Sequence, residues 1–236
     1  MRNAITIARR ELSAYFISPV AYVVIAGFLV IAGYFFTLIL FYSREATLRY
    51  LFSNLTTILL FIAPVLSMRL LAEEQRSGTI ELLLTAPVRD WEVVLGKWVA
   101  AFIFWLIMLV PTAIYPILLN RYGDPDVLPM VTGYLGIILL GGALLALGTL
   151  TSALTQNQIV AAVLGVGLTL LLWLIGAVGD FVGPAFSGFF QYLAWGTHFS
   201  DLARGVVDTK NIVYYLSVTV AALFLATRVL ESRRWR

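Results

Sequence analysis

Gly96-Lys97 is the only Gly-Lys pair in the sequence and the one place where a phosphate-binding loop could form. Such a loop needs a glycine, four further residues and then Gly-Lys followed by serine or threonine, because its backbone N–H groups and lysine hold the phosphates. Trp91 stands where the first glycine is needed, and Trp98 follows the lysine. The pair therefore does not predict an ATP site.

Metal and hydrolase sites are equally unsupported. The chain has one histidine, no cysteine and four methionines including the initiator, so a metal site lacks ligands. Ser187 lies in Ala185-Phe186-Ser187-Gly188, which is superficially similar to a Gly-x-Ser-Gly nucleophile turn but has alanine at the first position. His198 follows in the same segment, not on a separate helix that could direct it at the serine. We expect no enzyme, and expect His198 to be hydrogen-bonded or interfacial.

The composition indicates what kind of structure must position these residues. Of the 236 residues, 61% are hydrophobic and 12% are charged, whereas soluble domains have about 45–50% apolar and about 25% charged residues. The bilayer must therefore solvate much of the chain. Absence of cysteine excludes a secreted disulfide scaffold. Nucleic-acid binding is not expected despite a pI near 9.3, because the basic residues are not gathered on one soluble face.

Stretches without charge place the membrane spans. A spanning helix needs about 20 mostly apolar residues. The stretch 127–179 is long enough for two spans, with a turn at the polar residues 155–158. We predict an all-α integral membrane protein, one transmembrane domain over residues 1–236, with six spans near 19–41, 51–70, 98–119, 131–153, 159–179 and 211–229.

Basic residues orient the chain. Six spans put both termini on one side, and that side carries eleven of the sixteen lysines and arginines. By the positive-inside rule both termini and the 71–97 loop are cytoplasmic. The spans contain essentially no charge, whereas self-powered ion carriers more often show an intramembrane carboxylate. We therefore expect the energy to come from another subunit.

Residues 3–16 have a helical apolar period, with Arg9 and Arg10 between apolar positions such as Leu12. Ser18-Pro19 breaks the helix before the first span. This pattern predicts an interfacial helix that lies along the membrane surface. The alternative is a frayed extension of the first span.

Two further segments do not fit a plain bundle. The 71–97 loop predicts a short helix that starts at Thr79 and ends at Pro87, and its leucines either meet a partner protein or fold back on the bundle or headgroups. Residues 181–199 are uncharged but rich in glycine and proline. They predict two short broken helices dipping in from outside, and the alternative is a seventh span that would violate the charge rule.

The loop also resembles a known family. Residues 73–88, which read EEQRSGTIELLLTAPV, followed by Glu92 and Gly96-Lys97, resemble the ABC-2 type permease subunits of ABC transporters. The segment 18–22, SPVAY, further resembles the gliding-motility-associated subgroup, which includes relatives of the nitrous-oxide-reductase accessory permease.

This resemblance implies an exporter in the cytoplasmic (inner) membrane. A second permease copy or paralogue would complete a dimer, and separate cytoplasmic ATPase subunits would bind ATP and magnesium. The loop helix would be the coupling helix, which settles the leucines in favour of docking. Its matching residues are Gly78, Thr79, Glu81, Leu82, Leu83, Pro87 and Val88, with Glu73 and Glu74 as contacts or braces.

Residues 181–199 correspond, by the same resemblance, to an outer gate, with Phe181, Pro184, Phe189 and Phe190 as its candidate residues. The outer loops are short, so any external partner would be another envelope protein. Two other hypotheses stay open: a self-sufficient secondary transporter or channel, and a membrane scaffold of a motility or envelope complex.

Overall fold

The computed structural model describes residues 2–43, 45–79, 88–181 and 183–233, and this part of the chain is helical without strands. A 3₁₀ turn, Val110–Ala113, joins two of its helices. The helices are α1 (Arg2–Ile17), α2 (Pro19–Ser43), α3 (Arg49–Ser67), α4 (Arg69–Ser77), α5 (Asp90–Leu109), α6 (Ile114–Tyr122), α7 (Val127–Leu154), α8 (Gln158–Phe181), α9 (Pro184–Leu193), α10 (Trp195–Ala203) and α11 (Thr209–Arg233).

Six helical segments in the described part are long and apolar enough to cross a membrane, which confirms the predicted fold class. They are α2, α3 with α4, α5 with α6, α7, α8 and α11. α7 is the central span, since 72% of its apolar window is buried, against 17% for α2 and for α8. It packs against α3, α4, α5, α8, α10 and α11.

The second and third spans extend beyond their predicted ends. The second was expected to end near residue 70, yet the helix continues after a turn at Met68 through α4 to Ser77. The third runs from Asp90 to Tyr122, interrupted by the 3₁₀ turn that contains Pro111. The span ends predicted from the sequence were placed where the apolar residues stop. The helices extend further because backbone hydrogen bonds also form through charged residues.

α1 is a separate helix and not an extension of the first span. It ends at Ile17, and the chain turns at Ser18 before α2. α1 packs mainly along the first part of α5. Gly96 permits this approach, because a Cβ there would lie 2.7 Å from the carbonyl oxygen of Ala4. Its position along a membrane surface stays a prediction.

Residues 184–203 form two short helices, α9 and α10. They have 10 and 9 residues, about 15 and about 14 Å at a rise of 1.5 Å per residue, so neither alone can cross a bilayer. The segment is accordingly not among the six candidate spans of the described residues. The depth at which α9 and α10 lie stays a prediction.

Candidate functional site

The predicted loop residues lie partly in α4 and its exit. Glu73 and Glu74 belong to α4, and Gly78 ends that helix with a left-handed backbone, φ +72°, which glycine adopts without a Cβ penalty. Thr79 and Val88 are the described residues on either side of residues 80–87. The other predicted contacts lie outside the described residues: Glu81, Leu82, Leu83 and Pro87.

A buried lysine joins three elements at the base of this loop. The side chain of Lys97, on α5, is 2% exposed. Its Nζ lies 2.8 Å from Glu11 Oε1 on α1 and 2.9 Å from Glu74 Oε1 on α4. Taking charges out of water is costly, and only well-placed partners offset this cost. The pairs therefore fix α1, α4 and α5 relative to one another, and we call this set the Lys97 junction.

The two neighbouring glutamates have different surroundings. Glu73 is exposed. Glu74 turns towards Lys97, and its second oxygen, Oε2, is buried without a hydrogen-bond partner among the described residues. Glu74 therefore braces α4 against α5 within the chain, whereas Glu73 lies on the surface. The role of both residues at an ATPase interface stays a prediction.

α4 is also held by the end of the central span. The Ser152 hydroxyl donates to the carbonyl oxygen of Met68 at 2.8 Å and accepts from the backbone N–H groups of Leu71 and Ala72 at 3.0 Å. The N–H groups of a helix start have no intrahelical partner, so this hydroxyl serves as a cap supplied by α7. Gln75 adds a bond from Nε2 to the carbonyl oxygen of Ala153 at 3.0 Å.

Tyr15 connects α1 to the turn at Met68 that separates α3 from α4. Its hydroxyl donates to the carbonyl oxygen of Leu66 at 2.6 Å, and the Arg69 guanidinium lies 4.1 Å from its ring centroid. Burial raises the pKa of Tyr15 to about 12, so the phenol stays a protonated donor at neutral pH. Its ring also stacks on Phe104 at 4.9 Å. α1 thus contacts the second span as well as the third.

A polar cavity of about 920 Å³ lies beside the exit of α4. Arg76 lines it together with the turn 155–158 between α7 and α8. This turn is where the sequence placed it. The cavity and the exit of α4 therefore lie at the same end of the bundle.

At the opposite end, a buried histidine ties α10 to α11. Nδ1 of His198 lies 2.7 Å from Asn211 Oδ1, and Nε2 lies 2.9 Å from the carbonyl oxygen of Tyr192. Asn211 in turn donates to Asp201 Oδ2 at 3.3 Å. The prediction that His198 is a hydrogen-bonded residue is confirmed.

The candidate gate residues are not gathered into one contact. Phe181 and Phe189 are exposed, and Phe190 is half-buried with its ring 5.7 Å from that of Phe189. Pro184 begins α9, and its side chain lies outside the described part. The link between α9 and α10 is anchored instead by Tyr214, whose hydroxyl donates to the carbonyl oxygen of Leu193 at 2.6 Å.

Sequence patterns missed most of the residues that hold α1 and α4 in place. Glu11, Tyr15, Ser152 and Gln75 were not predicted as functional, and Lys97 was noted only in its Gly-Lys pair. One signal was present: Lys97 is a charged residue inside the opening turns of an apolar span. Such a residue needs a partner, but nothing local identifies Glu11, 86 positions away.

Comparison with protein families gives a match over residues 42–234, described as ABC-2 family transporter protein. Comparison with curated proteins gives no match. The family match covers most of the chain and includes five of the six spans in full. The chain therefore belongs to the ABC-2 family of transporter proteins, as a multi-pass membrane permease of an ABC transporter.

Proposed function

We propose that this permease is the membrane subunit of an exporter, driven by a separate cytoplasmic ATPase that binds ATP and magnesium. The ATPase docks on residues 78–88, with Glu81, Leu82 and Leu83 in its groove. Both termini face the cytoplasm, and a second copy or a paralogue completes the dimer. The whole chain acts as one transmembrane domain, and α1 is its interfacial helix.

The observation that carries this proposal is the attachment of α4. This helix leads directly into the docking segment and is fixed at its base by Lys97 to α1 and α5, and by Ser152 to α7. A displacement of the segment by the ATPase is therefore passed to the third and fourth spans together. The outer gate at residues 181–190 then opens or closes in response.

The buried charges support an external source of energy. Among the described residues, the buried Lys, Arg, Asp or Glu residues are Glu92 and Lys97, both at the start of α5 and neither at mid-span. A proton or sodium path through the bundle would need ionisable groups deeper in the spans. This distribution suits a cargo that is lipid-like, polymeric or peptidic better than a small ion.

Co-purification with the ATPase tests the docking assignment. In Leu82→Asp a charge would enter an apolar groove, so we expect the ATPase to be lost from the purified complex. Val127→Asp is the matched control, because it also places a charge at an apolar residue, and Val127 is exposed at the opposite end of the bundle. Retention of the ATPase by Leu82→Asp at the level of the control contradicts the proposal.

A further inference from the structure

An apolar groove runs between α1 and α5, on the outside of the bundle. It has a volume of about 430 Å³, within the range of small-molecule sites. Ile5, Ala8 and Leu12 line it from α1, and Leu95 and Val99 line it from α5. The small side chain of Ala8 leaves the space between the two helices open. We call this the α1–α5 groove.

Arg9 is the charged residue at the rim of this groove. Its side chain is exposed, and no carboxylate of the described residues forms an ion pair with it. The nearest acidic residue on α1, Glu11, is already bound to Lys97. An exposed cation that has no ion-pair partner in the described part of the chain, beside an apolar groove, is complementary to a molecule with an anionic head and a hydrocarbon chain.

The position of the groove selects the class of that molecule. Leu95 and Val99 belong to the opening turns of the third span, where apolar residues replace the charged ones that precede them. A helix that lies at this level has its apolar face at the boundary between headgroups and acyl chains. A water-soluble anion would find no apolar surface to use there, whereas a phospholipid presents both parts at this depth.

We propose that the α1–α5 groove binds one anionic phospholipid, with an acyl chain between Ala8 and Val99 and the phosphate at Arg9. The site does not depend on the ATPase or on transport. The residues that line it do not include Glu11, Glu74 or Lys97 of the Lys97 junction. The lipid fills the gap between the interfacial helix and the third span.

Native mass spectrometry of the purified full chain tests the proposal. The probes are dioleoyl phosphatidylglycerol, dioleoyl phosphatidylcholine and, as a headgroup without chains, glycerol phosphate. We expect one phosphatidylglycerol to be retained preferentially and glycerol phosphate not to bind. Arg9→Gln should weaken this retention roughly fivefold, the effect of one basic residue near an anionic lipid. Arg10→Gln is the matched control, since Arg10 is exposed on the same helix but does not line the groove.

A second variant tests the channel for the acyl chain. Val99→Phe fills the groove from α5 and should reduce retention of both phospholipids, whereas Ile107→Phe, on an exposed position of the same helix outside the groove, should not. Equal retention by Arg9→Gln and Arg10→Gln overturns the proposed headgroup site. Unchanged retention by Val99→Phe overturns the proposed chain site, as does binding of glycerol phosphate alone.

Discussion

Lys97 shows how a single charge can organise one end of a membrane bundle. Two carboxylates from different helices converge on its ammonium group, at 2.8 and 2.9 Å. The side chain is nearly inaccessible, so water cannot replace either partner. Lys97 therefore holds together helices that are far apart in sequence.

Removing this cation should destabilise the permease. In Lys97→Met the carboxylates of Glu11 and Glu74 would face each other without a counter-charge, and breaking a buried pair costs about 3–5 kcal/mol. We expect a clear fall in the Tm of the purified protein in detergent.

Lys210→Met is the control for the loss of a lysine. Its pair with Asp208 is 3.0 Å long, but both side chains are largely exposed, so water and salt screen the interaction. This variant should change the Tm little. If the two variants lower the Tm equally, burial of the Lys97 junction does not contribute to stability.

At the scale of elements, glycines on α7 allow the neighbouring helices to pack closely against this central span. A Cβ on Gly141 of α7 would overlap the indole of Trp105 on α5, whose side chain is fully buried. Gly148 is packed in the same way against Ser67. Small residues of this kind let helices pack closely within a bilayer.

Gly141→Ala should therefore destabilise the bundle, because overpacking a buried contact costs typically about 1–3 kcal/mol. Gly167→Ala is the matched control on α8, where an added Cβ meets no atom within 4 Å. Alanine is the better helix former by about 1 kcal/mol, so this control should keep or raise the Tm. A lower Tm for the control than for Gly141→Ala would contradict the packing argument.

The elements that sequence predicted well are those with strong apolar runs. Each of the six spans was recognised because a stretch of about 20 apolar residues has few other uses. α4 was missed as a helix because its charged residues, such as Glu73 and Arg76, resemble a loop when hydropathy alone is considered. Its attachment to Ser152, some 80 positions away, depends on tertiary packing that local patterns do not encode.

At the scale of the whole molecule, the main expectation to test is which end of the bundle faces the cytoplasm. The chain has no cysteine, so single cysteines can be introduced without a background. Ser232→Cys and Tyr122→Cys are exposed positions at opposite ends of the bundle.

A membrane-impermeant maleimide should label Tyr122→Cys in intact cells. Ser232→Cys should be labelled only after permeabilisation, because the positive-inside rule places the C-terminus in the cytoplasm. The reverse pattern would place the docking loop outside the cell and would exclude an intracellular ATPase as its partner.

The break at Met68 has a mechanical consequence for the bundle as a whole. α4 is only nine residues long, about 14 Å at the helical rise. The Ser152 hydroxyl donates to the carbonyl oxygen of Met68, just before α4, and accepts from the N–H of Leu71 in its first turn. These bonds restrain rotation of α4 about the turn at Met68. A force applied at Gly78 would therefore reach α7, the most enclosed of the six candidate spans, as well as α5, to which Glu74 is tied through Lys97.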